Sequence, residues 1–312
     1  MLKGNSHAIN QRCQMRILLI TILVFVFLSF GAGFFLASTT MSIQRQTLDE
    51  ARIWQEEHYD LSWYAPLKKE NYTVNSYDGY VLHVQRLKNP NGSDRFVIIS
   101  HGYTDNRFGA LKYAWIYLNH AFDVIVYDLR GHGENKPTFC TYSNRESRDL
   151  NVLIRDCRVR YHPSVLGVHG ESLGAATSVS CLKEKPDIDF VVADCGFSEI
   201  SAVLKAGIRK VHLPEFLVSL ASVCAKIRYG YSYNEMRPIE SLNGNEIPIL
   251  FIHGAGDSFI LPDHSRKMHE AAKDCSELQL VPFAGHAASV LTAPTEYEVY
   301  VTEFLSRHGI PI

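Results

Sequence analysis

The sequence predicts an α/β fold in which a mostly parallel central sheet is covered by helices on both faces. Short, apolar and β-branched runs alternate with segments of helical length over most of the 312 residues. This alternation is typical of parallel strands joined by crossover helices. A separate stretch, 17–37, carries no charged residue and is long enough to cross a bilayer, so one transmembrane helix is expected before the fold.

Composition excludes several other classes of protein. Hydrophobic residues make up 46% of the chain and charged residues 21%, so it can bury a full core and shows no bias towards disorder. The formal net charge of −2 offers no basic surface, and no nucleic-acid partner is expected. The cysteines lack C-x-x-C spacing, so we expect no metal site, and the sequence does not decide whether or how they pair.

The stretch 17–37 is interpreted as an uncleaved anchor in the lipid bilayer of the cell membrane. Only basic charges precede it, whereas the basic residues that follow are balanced by acidic ones. The positive-inside rule therefore predicts a single-pass protein with residues 1–16 in the cytoplasm and the rest of the chain outside. A cleaved signal peptide is the alternative, although its apolar region is usually shorter.

The remaining chain divides into a connector and one large domain. Residues 38–67 are polar and mostly compatible with helix, and residues 68–312 carry the strand and helix pattern. Within this domain, 197–246 is about twice as long as a crossover helix needs, which predicts a small helical lid. Its apolar residues either face a substrate pocket or only dock the lid, and the pattern does not decide between the two.

The elements of the domain follow in a regular order. A hairpin is predicted from "YTVNS" and "YVLHVQRL", which are joined by a turn at "YDG". Six further strands are predicted at 95–102, 122–130, 164–170, 189–196, 247–254 and 278–285. Helices are predicted between or after them at 108–120, 145–157, 173–184, 261–274 and 294–308.

Candidate catalytic residues lie just after the carboxyl ends of these strands, where α/β proteins collect their chemistry. In "GESLG", Ser172 lies between two glycines and between a strand and a helix, the pattern of a nucleophile elbow. Asp257 in "HGAGDSF" and His286 in "FAGHAAS" follow later strands, in the chain order serine, aspartate, histidine. We expect His286 to be the general base and Asp257 to orient it.

Other residues at the strand ends are weaker candidates. Asp194 also lies between the serine and His286 in sequence, and it is the alternative to Asp257. His101 and His132 precede the serine and lie in glycine-flanked turns, so structural roles are expected for them. Asp128 and Arg130 are expected to form a local ion pair.

Five motifs together resemble the α/β-hydrolase superfamily over residues 68–310: "SHGYTDNR", "VYDLRGHGEN", "GVHGESLGAAT", "FIHGAGDSFILPDHS" and "PFAGHAAS". More narrowly, the chain resembles bacterial membrane-anchored serine hydrolases of the serine-aminopeptidase-like and abhydrolase group. The resemblance implies the α/β-hydrolase fold and an oxyanion hole formed by the backbone N–H groups of Tyr103 and Leu173. It does not identify the substrate, because one fold hosts many reactions.

The expected activity is that of a serine hydrolase that cleaves small-molecule carboxylic esters or thioesters through an acyl-enzyme. A serine peptidase or aminopeptidase acting on peptide-like amides is the alternative, and a non-catalytic binding protein is a third interpretation. An aminopeptidase needs acids to hold the free amine, and Glu171, Glu199 and Glu215 are candidates no better than surface charges. No cofactor is expected, since covalent catalysis with an oxyanion hole requires none.

Overall fold

The computed structural model describes residues 3–312, with side chains from residue 13 onwards. These residues divide into two compact units. The larger unit comprises Ser42–Val203 and Asn234–Ile312. The smaller unit comprises helix α1 (Lys3–Met41) together with Leu204–Tyr233.

The larger unit is built on a single eight-stranded sheet with the strand order β1-β2-β4-β3-β5-β6-β7-β8. Strand β2 pairs antiparallel with β1 and β4, and every other neighbouring pair is parallel, which confirms the predicted mostly parallel sheet. The strands are β1 (Lys69–Asn75), β2 (Val81–Leu87), β3 (Arg95–Ser100), β4 (Asp123–Tyr127), β5 (Val165–Glu171), β6 (Phe190–Asp194), β7 (Ile249–Gly254) and β8 (Ser276–Val281).

All eight predicted strands are present, and the differences lie at their ends. The hairpin pairs Asn75 with Val81 across its turn, as the sequence predicts. The last strand was predicted at 278–285 but ends at Val281, directly before Pro282. Proline has no N–H to donate to a strand ladder, which explains the earlier end.

The helices cover both faces of this sheet. Strands β4, β5, β6 and β7 are buried at every residue, so neither of their faces meets solvent. The nine helices after α1 are α2 (Leu48–His58), α3 (Leu111–Asn119), α4 (Asn144–Tyr161), α5 (Leu173–Cys181), α6 (Ile200–Lys210), α7 (Phe216–Tyr229), α8 (Asp263–Ala271), α9 (Ser289–Thr292) and α10 (Pro294–Arg307). In the main core, Tyr113 and Tyr117 of α3 and Phe304 of α10 pack with alternate residues of the strands.

Helix α1 is long and apolar enough to cross a membrane over Cys13–Met41, and most of this stretch is exposed. It continues four residues past the predicted end of the span at Ala37. Within the smaller unit, α1 packs against α7. A Cβ atom at Gly33 would lie 2.8 Å from Cys224 Sγ, so glycine is needed for this approach.

The predicted lid segment, 197–246, is largely helical, since it contains α6, α7 and short 3₁₀ turns. Two of its apolar residues, Leu213 and Phe216, are 47% and 58% exposed. Leu220 instead packs on Gly33 of α1. The position of this segment as a lid over Ser172 stays a prediction.

Candidate active site

Ser172 lies at the turn between β5 and α5 in a strained backbone conformation, with φ +53° and ψ −109°. The two flanking glycines make the turn possible. A Cβ atom at Gly170 would lie 2.2 Å from the backbone carbon of Gly174, and one at Gly174 would lie 2.1 Å from the carbonyl oxygen of Ser100. Only glycine at both positions lets the strands and the helix approach so closely.

The three residues predicted from the strand ends come together at this turn. Ser172 Oγ lies 3.0 Å from His286 Nε2, and His286 Nδ1 lies 2.7 Å from Asp257 Oδ2. Ser172 and Asp257 are buried, whereas the His286 side chain is 23% exposed. Because Nδ1 donates its proton to the carboxylate, Nε2 is left as an acceptor for the serine hydroxyl.

Asp257 is held as a carboxylate by several donors. Its Oδ1 accepts the backbone N–H groups of Phe259 and Ile260 at 2.8 and 3.0 Å. Burial raises the pKa of Asp257, but hydrogen bonds from His253 and His286 outweigh burial and hold the pKa well below its ordinary value. Asp257 is therefore ionised at neutral pH.

His253 was not predicted from the sequence; it lies in β7, and its ring contacts the Asp257 carboxylate. Its Nε2 is 3.2 Å from Asp257 Oδ2 and 2.9 Å from the Ile260 carbonyl oxygen, and both of these atoms accept. Nε2 therefore carries the proton, and Nδ1 accepts from Ser265 Oγ at 2.7 Å. The available signal was a lone histidine in an otherwise apolar strand, four residues before the aspartate.

The predicted oxyanion donors, Tyr103 and Leu173, lie on the two backbone segments beside the serine. Neither N–H donates to another backbone group within residues 13–312. A Cβ atom at Gly102 would lie 3.9 Å from Ser172 Cβ, so the loop after β3 passes close to Ser172. The Tyr103 hydroxyl donates to the Ser42 carbonyl oxygen, so the tyrosine ring is fixed in place.

His101 and His132 bond to backbone groups, which confirms the structural roles predicted for them. His101 Nε2 accepts from the Leu129 N–H at 2.9 Å, and His132 Nε2 contacts the Tyr103 carbonyl oxygen. Burial lowers the pKa of both rings. These two histidines hold the loops after β3 and β4 together.

The Asp194 carboxylate is held by hydroxyl groups. Its carboxylate accepts from the Tyr113 hydroxyl at 3.1 Å and the Ser289 hydroxyl at 3.2 Å. Burial, more than any neighbour, raises the pKa of Asp194 to about 6. The weaker of the two acid candidates thus bonds to hydroxyl groups, whereas Asp257 bonds to the histidine.

The predicted ion pair between Asp128 and Arg130 is wrong. Asp128 pairs with Arg107 at 3.2 Å, whereas the buried Arg130 guanidinium pairs with Asp149 at 2.5 Å and Asp78 at 2.9 Å. Each of the two charges therefore pairs with a partner that is distant in sequence.

The expectation that Glu171 is a surface charge is also wrong. Glu171 is 5% exposed, accepts from the Tyr113 hydroxyl at 2.5 Å and pairs with the buried Lys112 ammonium. Lys112 lies in α3, so its ion pair with Glu171 links that helix to the residue directly before Ser172. The hydrophobic pattern of the α3 sequence gave no sign of this buried charge.

The strand order and the position of the serine turn define the class of fold as that of the α/β-hydrolases, and the chain is similar to enzymes of this superfamily. The model of a family described as serine aminopeptidase matches residues 92–241. Within residues 13–312, no group of three or more His, Cys, Asp or Glu side chains could hold a metal ion.

Known proteins similar to this chain include both esterases and a peptidase. YqkD of Bacillus subtilis, described as an uncharacterised protein, is 28% identical over 78% of this chain and 81% of its own length. The structure of the Pyrococcus furiosus esterase Pf2001 matches with a TM-score of 0.64 and 23% identity, over 77% of this chain and 91% of that one. The acylaminoacyl peptidase of Pyrococcus horikoshii matches with a TM-score of 0.58 and 15% identity, over 78% of this chain and 42% of that one.

Proposed function

We propose that the chain is a serine hydrolase that cleaves carboxylic ester or thioester bonds through a Ser172–His286–Asp257 triad. The observation that carries this proposal is the hydrogen-bonded series from Ser172 Oγ to His286 Nε2, 3.0 Å, and from His286 Nδ1 to Asp257 Oδ2, 2.7 Å. A serine hydroxyl is a weak nucleophile unless an adjacent base removes its proton. This geometry supplies that base and the acid that orients it.

The proposed reaction proceeds in two steps. His286 Nε2 takes the proton as Ser172 Oγ bonds to the substrate carbonyl carbon, and the N–H groups of Tyr103 and Leu173 stabilise the negative oxygen. His286 then gives its proton to the leaving alcohol or thiol as that bond breaks, which leaves an acyl-serine. Water, activated by the same histidine, releases the acid and restores the enzyme. Asp257 keeps the imidazole in the required tautomer throughout.

The ion pairs of the candidate acids favour esters over aminoacyl substrates. The three acids that could hold a substrate amine are each paired with a base. Glu171 pairs with Lys112, Glu199 with Arg237 at 3.4 Å, and Glu215 with Arg209 at 3.3 Å. None of them is left as an unpaired carboxylate for an ammonium group. Peptidase activity remains the second candidate because of the serine aminopeptidase family model.

Hydrolysis by the full-length chain in detergent tests this function. We expect activity on short acyl esters to exceed activity on aminoacyl amides, and Ser172→Ala to lower turnover by about 10⁶-fold. Ser306→Ala, at an exposed position on α10, is the matched control and should retain wild-type turnover. An equal loss of turnover in Ser172→Ala and Ser306→Ala would contradict the proposal. A preference of the wild type for aminoacyl amides would also contradict it.

We also propose that α1 anchors the protein in a membrane, with residues 1–16 in the cytoplasm and the larger unit, here called the hydrolase unit, outside. The length and apolar exposed surface of α1 support the anchor, and the excess of basic charge before residue 17 supports the orientation. Protease added to intact spheroplasts should degrade the hydrolase unit and spare an N-terminal tag. Degradation only after the membrane is permeabilised would reverse the orientation.

A further inference from the structure

A cavity of about 330 Å³ lies beside His286 in the larger unit. One wall is helix α2, which contributes Ala51 and Gln55, and the lining also includes Lys112 and Ala287. Helix α2 belongs to the segment that the sequence predicts to be only a connector. The cavity therefore gives this segment a place beside the proposed triad.

Helix α2 is fixed in this position by the loop that carries the proposed oxyanion donor. Asn106, which is fully buried in that loop, donates through Nδ2 to the Thr47 carbonyl oxygen at 3.1 Å. Thr47 and Glu50 form a capping box that fixes the first turn of the helix. The cavity wall is thus a built part of the hydrolase unit.

Gln55 and Tyr59 have side-chain polar atoms without hydrogen-bond partners among residues 13–312. The Gln55 side chain is fully buried, and neither Oε1 nor Nε2 has a hydrogen-bond partner within residues 13–312. Tyr59, one helical turn away, lines the same cavity. Its hydroxyl is also without a hydrogen-bond partner within those residues. Buried amides and hydroxyls without partners are rare and costly, so these atoms indicate an occupant that bonds to them.

The charges of the cavity restrict the chemistry of that occupant. The Lys112 ammonium is paired with Glu171, and Asp105 adds a carboxyl whose pKa burial raises to about 6. With one cation and two acids on the wall, an anionic occupant is disfavoured. An ammonium group would leave Gln55 Nε2 without an acceptor. A neutral group that both donates and accepts hydrogen bonds satisfies all of these side chains.

We infer that this cavity binds the leaving group of the ester substrate, and that the leaving group is a hydroxylated alcohol such as a glycerol unit. The inference rests on the proposed function. His286 delivers its proton to the alcohol oxygen as the C–O bond breaks, so the leaving group must lie on the histidine side of Ser172. Gln55 and Tyr59 are then specificity residues that bond to its hydroxyls.

Paired acetate esters test this inference. Glyceryl monoacetate and propyl acetate share the acyl group and the three-carbon leaving group, and only the former carries free hydroxyls. For the wild-type chain in detergent, kcat/KM should be about tenfold or more higher for the glyceryl ester, because a site built for hydroxyls discriminates against an analogue that lacks them. Gln55→Leu should lower that ratio about tenfold, and Tyr59→Phe should lower it about threefold.

Glu57→Leu is the matched control, since it makes a similar change on an exposed part of the same helix, and its ratio should equal that of the wild type. A ratio near one in the wild type, or a ratio unchanged in both Gln55→Leu and Tyr59→Phe, would overturn the inference. A preference for acetylcholine over both esters would assign the cavity to a cation and also overturn it.

Labelling with a fluorophosphonate separates this inference from the proposed function. If Ser172 is labelled but the ester ratio does not depend on Gln55 or Tyr59, only the assignment of the cavity is wrong. If neither labelling nor ester hydrolysis occurs in the wild type, the serine-hydrolase proposal itself is wrong, and the assignment of the cavity falls with it.

Discussion

His253 and Asp257 are joined by a 3.2 Å hydrogen bond from Nε2 to Oδ2, the same oxygen that accepts from His286 Nδ1 at 2.7 Å. One carboxylate oxygen is thus held between two imidazole rings. His253 in β7 thus holds the Asp257 carboxylate in place together with His286. This arrangement leads to two predictions about Asp257.

Asp257→Asn should lower turnover by about 10⁴-fold on an activated ester. The amide oxygen stays with the two backbone N–H groups, so its NH2 group donates to Nδ1, and His286 adopts the tautomer that cannot take the proton of Ser172. The kcat of the full-length chain measures the effect. Asp263→Asn, an exposed acid in the first turn of α8, is the control. Turnover within tenfold of the wild type would remove Asp257 from the triad.

Asp257 should also stabilise the fold in a pH-dependent way. Its pKa in the folded state lies well below its ordinary value. The stabilisation is therefore present above the unfolded pKa of about 4 and is lost as the pH falls towards the folded pKa. Urea unfolding should show wild type more stable than Asp257→Asn at pH 7, with the difference shrinking below about pH 4. A difference that stays constant from pH 7 to 3 would argue against this.

Asp194→Asn should leave turnover within about threefold of the wild type, because Asp194 bonds to Tyr113 and Ser289. Its pKa is raised to about 6 in the folded state, so the wild type loses stability as pH rises from about 4 through 6. Asparagine does not titrate. Relative to the wild type, the variant should gain about 2 kcal/mol between pH 4 and 7 in denaturant unfolding. A turnover loss without a change in melting temperature would place Asp194 in the triad instead.

Gly174→Ala should destabilise the fold and abolish most activity. The new methyl group would lie 2.1 Å from the Ser100 carbonyl oxygen, so the turn that carries Ser172 must move. Gly207→Ala is the matched control, because nothing lies within 4 Å of a Cβ there and the position is exposed in helix α6. It should be neutral or stabilise by about 0.5–1 kcal/mol. Equal melting temperatures for the two variants would contradict this account of the turn.

Much of the sheet was predictable because its strands are short apolar runs, each with a local sequence signal. The turn at Ser172 could also be predicted from the sequence, because the close approaches at Gly170 and Gly174 require glycine. Asp257 and His286 were found because they follow directly on the carboxyl ends of strands, and parallel strands bring those ends to one edge.

The residues that the sequence did not reveal depend on contacts between distant segments. Gln55 lies in a helix that reads as a polar connector, and only the fold brings it beside His286. Lys112 and Glu171 are separated by strand β4 and helix α4, and charge patterns along a chain carry no information on such pairs. The ion pairs of Arg130 with Asp78 and Asp149 were not predicted for the same reason.

Mapping a fluorophosphonate adduct on the chain tests directly whether Ser172 is the nucleophile. The full-length chain in detergent is labelled, digested and analysed by mass spectrometry. We expect a single adduct on the peptide that contains Ser172. This adduct should be absent in Ser172→Ala and present in Ser306→Ala. An adduct on a different residue, or undiminished labelling of Ser172→Ala, would contradict this assignment of Ser172.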